Sequence, residues 1–334
     1  MESLSERISP RAIPEGLDKA RAVERSPSPG LGVDRRPIPQ AATRTGQQAS
    51  KPMTGMPPQG AVMGGAARDP VSTPPQPRVL CVVNRKGGVG KTTCSFNLAG
   101  ALAHMGRQVL VVDLDPMGSL CRSLHIFPGK IALSDLLVGV GGQLGDLIRA
   151  THIQGLSVIP GDPNLRTLEM RHGTSVGLRL ALREKLSELL KQKPYPYVII
   201  DCPPSLGLIS GNALLAASEA LIPVDGSTYG MGALLDTLGI IQLVRSNVNR
   251  SLCITGILLN NIDLGTIYDR TVQQVLRQHY GAGLFRTVVP SSPEADESSQ
   301  LGEPVIRYSP QCWMAKSYMQ LAEEILARRP RNVG

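Results

Sequence analysis

Residues 84–93 read Asn-Arg-Lys-Gly-Gly-Val-Gly-Lys-Thr-Thr, and they stand between a short apolar run and a stretch with the pattern of a helix. Glycines let the backbone curl so that successive N–H groups converge on an anion at the positive end of the following helix. A lysine and a hydroxyl residue directly after such a loop contact phosphate oxygens and Mg²⁺. The segment therefore predicts a strand, a phosphate-binding loop and a helix, in that order.

The loop departs from the usual pattern G-x-x-x-x-G-K-[ST] at one position, because Arg85 stands where that pattern has glycine. A second lysine, Lys86, follows it. Lys91 is expected to reach the β and γ phosphates of a nucleotide, and Thr92 to offer its hydroxyl to Mg²⁺. The predicted nucleotide-binding residues of the loop are Lys86, Gly87, Gly88, Val89, Gly90, Lys91, Thr92 and Thr93.

From Arg78 onward, short apolar runs alternate with amphipathic stretches, which is the pattern of an α/β fold. Most runs lack polar alternation, as in strands of a parallel sheet that helices cover on both faces. We therefore expect a three-layer, doubly wound, mostly parallel sheet. Strands are predicted at 79–83, 109–113, 156–160, 197–201, 220–224, 254–259, 287–290 and 305–307. Helices are predicted at 92–105, 179–192, 207–217, 231–246, 267–280 and 313–328.

Residues 1–77 differ in composition, since they hold 13 of the 27 prolines and no aromatic residue. Such a segment cannot build a core and is predicted to be a disordered arm. Up to Arg78 it has 11 Lys or Arg against 7 Asp or Glu, so it is basic. It is either an arm that contacts an anionic polymer or a partner protein, or an inert soluble leader. Residues 13–25 have apolar side chains at helical spacing, which suggests a helix that folds only on a partner.

The composition also excludes several classes of protein. No run approaches the roughly 18 apolar residues of a membrane span, and the N-terminus lacks the apolar stretch of a signal peptide, so we expect a cytoplasmic protein without membrane binding. The six cysteines are scattered, without the C-x-x-C pair of a zinc site or a redox couple. The formal net charge of +8 is compatible with an anionic partner.

Three further segments follow the loop in order. Residues 111–116 read V-V-D-L-D-P, residues 199–207 read I-I-D-C-P-P-S-L-G, and residues 222–224 read I-P-V. Together with the loop they resemble the ParA/MinD family of ATPases, whose deviant Walker A loop carries an extra lysine matched here by Lys86. The resemblance covers about residues 78–328 and implies a ParA-like P-loop ATPase domain at 78–330. It is closest to the Soj-like branch that acts in chromosome and plasmid partition.

The resemblance implies roles for the catalytic residues Lys86, Lys91 and Asp115. ATP would bring two subunits face to face, and Lys86 would reach the phosphates of the partner's nucleotide. Asp115 corresponds to the carboxylate that positions the attacking water, and Asp113 would support it or the magnesium shell. Asp201 would hold a magnesium-bound water, with a helix cap as its alternative role. The predicted metal site therefore comprises Thr92, Asp113 and, through water, Asp201.

Two more positions are expected near the base of the nucleotide. Asn260, at the end of the predicted strand 254–259, matches a family position that reads the adenine edge. Pro290 lies where a family loop packs on the base. Asn260 is equally compatible with a role as a turn former, because its side chain bonds readily to nearby backbone.

The resemblance also implies DNA binding, because ATP dimers of the ParA branch bind DNA without sequence preference through lysines and arginines. An ungapped comparison puts Gly265, Ser291 and Glu294 at the positions of those arginines. An acidic run with Glu294, Asp296, Glu297 and Glu303 would repel a phosphate backbone. The alternative cations are Arg270, Arg277, Arg286, Arg307, Lys316, Arg328, Arg329 and Arg331.

The expected function is that of a ParA-like ATPase with ATP and Mg²⁺ as cofactors. Its ATP-bound sandwich homodimer would bind the nucleoid and be released when a ParB-like or other partner stimulates hydrolysis, so that DNA or a protein cargo is segregated or positioned. The alternative is a nucleotide-switched scaffold that docks on a protein assembly through its N-terminal arm and barely touches DNA. A metabolic kinase or amidoligase is disfavoured, because the sequence shows no added substrate domain.

Overall fold

The computed structural model describes residues 76–172, 176–263 and 267–328. Its centre is an eight-stranded sheet in the order β3-β4-β2-β5-β1-β6-β7-β8, in which β3 alone runs antiparallel to its neighbour. The strands are β1 (Arg78–Val82), β2 (Val109–Asp113), β3 (Arg149–Ala150), β4 (Leu156–Ile159), β5 (Tyr197–Asp201), β6 (Glu219–Val224), β7 (Cys253–Ile262) and β8 (Leu284–Pro290). The predicted mostly parallel sheet is confirmed.

Helices lie on both sides of this sheet. They are α1 (Lys91–His104), α2 (Ser119–Ser123), α3 (Leu133–Leu137), α4 (Asn164–His172), α5 (Val176–Gln192), α6 (Leu208–Ala216), α7 (Thr228–Asn247), α8 (Ile267–Tyr280), α9 (Glu294–Gln300), α10 (Val305–Tyr308) and α11 (Trp313–Ala327). None of the helices in the described part of the chain is both long and apolar enough to cross a membrane.

The central strand β1 shows why its sequence is apolar throughout. Successive side chains of a strand point to opposite faces. Leu80 and Val82 lie in a core with residues of α1 and α11, whereas Val79 and Cys81 lie in a second core with residues of α5 and α6. Every residue of β1, β2 and β5 is buried, as a sheet covered on both faces requires.

One predicted strand is wrong. Residues 305–307 belong to the short helix α10, which begins after Pro304. A three-residue apolar run has no readable period, so a strand and a helix turn cannot be told apart there. Packing decides the conformation, because the N–H of Val305 donates to Oδ1 of Asn97 on α1 at 2.7 Å and both apolar side chains of α10 are buried.

Other parts of the prediction were incomplete. Strand β3 and the short helices α2, α3, α4 and α9 were not predicted from the sequence. The predicted arm lies outside the described residues up to position 75, and so does the proposed docking helix at 13–25. Gly265, Arg329 and Arg331 also lie outside them.

Parallel strands bring their carboxyl ends to the same edge of the sheet. The loop at 84–90 follows β1, and the neighbouring strands β2 and β5 end at Asp113 and Asp201. The strand order therefore collects the loop and the two predicted carboxylates at one place.

Candidate functional site

The loop between β1 and α1 depends on two glycines. Gly88 and Gly90 have φ angles of 77° and 78°, in the left-handed region that favours glycine. A Cβ on Gly90 would also clash with Nδ2 of Asn260. The loop leads directly into α1, whose first-turn N–H groups have no partner within the helix. These features fit a phosphate-binding loop at a helix N-terminus.

Lys91 lies inside the loop. Its side chain is buried, and Nζ donates to the carbonyl oxygen of Lys86 at 2.9 Å, which closes the curl. Burial lowers the pKa of Lys91, and the charge of Asp201 acts in the opposite direction. A bound phosphate would supply a further negative charge beside this ammonium, so the position predicted from the sequence fits its role.

Asp201 joins the predicted metal site to the loop. Its two carboxylate oxygens accept hydrogen bonds from Thr92 Oγ1 and Ser95 Oγ, both at 2.8 Å. A threonine hydroxyl next to a carboxylate is a donor set that suits Mg²⁺, which keeps several of its waters. The geometry therefore fits Thr92 as a direct ligand and Asp201 as a ligand through water. Ser95 was not identified from the sequence.

Asp113 is completely buried and points at backbone rather than into open space. Its oxygens accept from the N–H groups of Asp115, at 3.0 Å, and Cys121, at 3.3 Å. These bonds hold both ends of the segment that carries Asp115, whose Oδ1 accepts from the N–H of Met117 at 2.9 Å. Of the two roles left open for Asp113, the geometry favours support of Asp115, and a direct part in the magnesium shell stays a prediction.

The two buried carboxyl groups lie on adjacent strands, where Asp113 and Asp201 are register partners. Burial raises the pKa of Asp113 to about 8, and the charge of Asp201 adds to this. Burial also raises the pKa of Asp201 to about 6, while hydrogen bonds from Ser95 and Thr92 oppose the shift. A cation bound beside Asp201 would favour the ionised forms.

Without nucleotide and Mg²⁺, the stability of the protein is expected to fall as the pH rises towards about 8. A carboxyl with a raised folded pKa binds more protons in the folded state, so its stabilisation is present at acidic pH and is lost through that pKa. Asp113 can contribute up to about 1.4 kcal/mol per pH unit in this window. Urea unfolding at several pH values measures the free energy of unfolding. For Asp113→Asn, this free energy should fall less steeply with pH than for the parent. Equal slopes would contradict the raised pKa.

Lys86 points away from the interior of the loop. Its Nζ forms an ion pair with Asp225 and donates to Ser227 Oγ at 2.7 Å, both in the same chain. Ser227 caps α7, because its Oγ accepts from the N–H of Gly230 at 3.1 Å. These partners were not predicted from the sequence, although a serine before a helical stretch is a capping signal.

Asn260 lies behind the loop. Its side chain is buried, Nδ2 donates to the carbonyl oxygen of Val89 at 2.7 Å, and Oδ1 accepts from Tyr318 at 3.4 Å. Pro290 ends β8. Asn260 therefore contacts the loop from behind, and neither it nor Pro290 lines the cavity in front of the loop. Their roles beside the base stay predictions.

A cavity of about 380 Å³ opens from the loop. It is lined by loop residues, by Asp115 and by residues of α1, α2 and α9. The wall from α9 was not predicted as a part of the site. The acidic residues of α9 were predicted only to repel DNA, because the sequence alone does not place α9 beside the loop.

Three members of the acidic run have polar partners within the fold. Glu297 accepts from the hydroxyl of Tyr308 at 2.9 Å, and Glu303 lies 3.1 Å from both His152 and Arg307. Glu294 accepts from Ser292 Oγ. Ser291 and Glu294, two of the expected arginine positions, therefore bring no cation to this surface.

Several of the alternative cations are also engaged inside the fold. Arg328 donates to the carbonyl oxygens of Thr255 and Leu284 and lies over the ring of Phe285. Arg277 donates to two carbonyl oxygens at the start of β8. Arg286 is 89% exposed in its side chain, although it lies 4.0 Å from Glu324. Arg277 and Arg286 nevertheless remain exposed at the surface, whereas the side chain of Arg328 is only 22% exposed.

Known proteins share this arrangement. A family model described as an AAA domain, AAA_31, matches residues 77–254, which include the loop, Asp115 and Asp201. The sporulation initiation inhibitor protein Soj of Bacillus subtilis is 36% identical over 252 residues, 75% of this chain and 98% of Soj. The chromosome partitioning protein ParA of Caulobacter vibrioides is 34% identical over 253 residues, 75% of this chain and 94% of ParA.

A solved structure is similar over the same share of the chain. It is cobyrinic acid a,c-diamide synthase from Mycobacterium smegmatis with bound ADP and magnesium. It is 30% identical, with a TM-score of 0.63, and the match covers 75% of this chain and 94% of that protein. The bound ligands of that structure are the ones that the loop, Thr92 and Asp201 fit here.

Proposed function

Since this chain belongs to the ParA/Soj family of P-loop ATPases, with ATP and Mg²⁺ as its cofactors, we propose that it segregates DNA or positions a protein cargo. Its ATP-bound homodimer binds nucleoid DNA without sequence preference. A ParB-like or other partner stimulates hydrolysis and releases the protein. The observation that supports this cycle best is the divergent placement of the two loop lysines, with Lys91 inside the curl and Lys86 outside it.

Each residue has one task in this proposal. Lys91 neutralises charge on the phosphates inside the loop, and Thr92 with Asp201 holds the hydrated magnesium. Asp115 orients the attacking water at the cavity wall. Lys86 leaves Asp225 and Ser227 when two subunits meet, and its ammonium then adds positive charge at the phosphates of the other subunit. ATP supplies the phosphoryl group, and the protein supplies position and charge.

Lys86→Ala is expected to block ATP-dependent dimerisation and to lower hydrolysis by at least about tenfold, with much less effect on ATP affinity. The reason is that Lys91, not Lys86, lies inside the loop. Light scattering after gel filtration with ATP measures the dimer, and calorimetry measures the affinity. Arg85→Ala is the matched control, because Arg85 is the preceding cation and pairs with Asp236 on the surface. Equal dimerisation of Lys86→Ala and the parent would refute the role of Lys86.

DNA binding is tested by co-sedimentation of the full chain with DNA, with ATP or ADP and across a salt series. We expect the protein to bind DNA with ATP but not with ADP. This binding should weaken steeply as the salt concentration rises. A shortened chain that starts at Gln76, the first described residue, shows whether the arm supplies the cations. The absence of DNA binding with any nucleotide would remove the nucleoid step.

The second candidate is a nucleotide-switched scaffold that docks on a protein assembly through residues 1–77. The surface at Ser291 and Glu294 favours it, because these positions lack the cations of the family's DNA surface. The bonds that hold Arg328 against the backbone favour it as well, because its side chain is only 22% exposed. Deletion of the first 40 or so residues should then abolish partner capture and leave ATP binding intact. Both candidates are expected to hydrolyse ATP when no small-molecule acceptor is present. An amide synthase would need such an acceptor, so a measurement of phosphate release without one separates them from it.

A further inference from the structure

The cavity at the loop extends beyond the part that phosphates would fill. Lys91 and Thr92 mark the phosphate end. The remaining wall contains polar side chains from three helices, namely Asn97 on α1, Ser119 and Ser123 on α2, and Asp296 and Ser299 on α9. A nucleotide held by its phosphates would place its sugar and base along a wall of this kind, so these side chains are candidates for reading them.

Three of these five side chains are already engaged in hydrogen bonds, and of the other two, Ser119 is a neutral hydroxyl and Asp296 a carboxylate. Nδ2 of Asn97 donates to the carbonyl oxygen of Thr93 at 2.9 Å, and its Oδ1 accepts from the N–H of Val305 at 2.7 Å. The hydroxyls of Ser123 and Ser299 lie 2.8 Å apart and bond to each other. The carboxylate of Asp296 forms no hydrogen bond or ion pair with any residue that the structure describes, and it is exposed at the cavity.

The chemistry of a carboxylate restricts what it can bind. An ionised carboxylate only accepts hydrogen bonds, and its charge repels phosphates. It therefore suits a donor on the part of the nucleotide beyond the phosphates. The two ribose hydroxyls are such donors and stand nearest to the phosphates, and carboxylates recognise ribose hydroxyls in dinucleotide-binding proteins.

We propose that Asp296 binds the ribose hydroxyls of the nucleotide and makes the protein select ribonucleotides over deoxyribonucleotides. The proposal rests on ATP binding at the loop and is independent of dimerisation and DNA binding. It assigns a binding role to a member of the acidic run. The neighbouring Glu297 cannot share this role in the same way, since it accepts a hydrogen bond from Tyr308 and does not line the cavity.

The test uses calorimetry on the full chain with Mg²⁺ and ADP, 2′-deoxy-ADP or 3′-deoxy-ADP, because diphosphates avoid hydrolysis. The parent is expected to bind at least one deoxy nucleotide about tenfold more weakly than ADP, as for the loss of a charged hydrogen bond. Asp296→Ala is expected to bind ADP about tenfold more weakly and to lose this discrimination. Glu297→Ala, the matched control on the same helix, should behave as the parent.

Two results would overturn the proposal. One is a parent that binds all three nucleotides equally, and the other is an Asp296→Ala variant that still discriminates. Purine riboside diphosphate, which lacks the amino group of adenine, provides a further arm. If Asp296→Ala instead lost discrimination against that analogue, the carboxylate would read the base, and the ribose assignment would be wrong. If the parent bound ADP no better than Lys91→Ala does, the nucleotide site itself would be wrong. This result differs from the two above, in which the parent binds ADP.

Discussion

Replacing Asp115 by alanine is expected to lower ATP hydrolysis by at least about 100-fold while ATP affinity changes little. The carboxylate lies at the cavity wall, and two bonds to Asp113 and Met117 hold it and its backbone in place. A positioned carboxylate orients the attacking water in the transition state, and its loss removes that effect. The phosphate contacts belong to the loop and should persist, so the variant should accumulate as an ATP dimer.

Phosphate release measures the turnover, and calorimetry measures ATP affinity. Asp115→Asn keeps an acceptor for the N–H of Met117 but loses the charge, so it separates support of the loop from action on water. If Asp115→Asn were as inactive as the alanine variant, the charge itself would be required. Glu184→Ala, an acidic residue on the exposed face of α5, is the control. Hydrolysis of Asp115→Ala at the parental rate would show that another group positions the water.

Glu219→Ala is expected to lower the free energy of unfolding by about 3–5 kcal/mol. Glu219 and Arg78 are buried side by side, with two hydrogen bonds of 2.6 Å between the guanidinium and the carboxylate. Glu219 also accepts from Thr255 at 2.7 Å, and Arg78 donates to the carbonyl oxygen of Ile325 at 2.7 Å. This group ties β1, β6, β7 and α11 together. Removing the carboxylate leaves a buried cation without its counter-charge.

Urea unfolding without nucleotide measures the loss. Asp236→Ala is the control, because it breaks the ion pair with Arg85, in which the side chains are 61% and 51% exposed. Such a surface pair contributes about 1 kcal/mol or less. The double change Arg78→Met with Glu219→Leu should recover much of the stability, because no charge stays buried. A loss in Glu219→Ala no larger than that of the control would contradict the argument.

The chemistry of the loop could be predicted because it depends on neighbours in the chain. Lys91 and Thr92 follow the glycines directly, and the turn that they need is set by backbone freedom at Gly88 and Gly90. Asp201 was predicted from the resemblance of residues 199–207 to the family's second acidic motif, and the register with β2 brings it beside Asp113. For all of these residues, a short sequence motif next to a strand fixes where the residue lies relative to the sheet.

Side-chain partners far apart in the chain could not be predicted in the same way. The bond from Asn260 to the loop at Val89, 171 positions earlier, was not predicted, and the role of Asn260 beside the base stays a prediction. Asp296 was counted as a repulsive surface charge, yet α9 carries it to the wall of the cavity. The ion pair of Lys86 with Asp225 was not predicted either, and its role at a partner's nucleotide stays a prediction. Each outcome depends on how helices pack across the sheet edge.

The sequence by itself determined the class of ligand and the strand-loop-helix unit, because spacing along the chain controls backbone curl and the groups beside it. Tertiary structure decided which charges meet, since a side chain's direction depends on strand register and helix packing, and neither is encoded in a short segment. It placed Arg78 with Glu219, held Arg328 inside the fold and left Asp296 open to the cavity. Position in the chain fixed the chemistry of the loop, and packing fixed the residues around it.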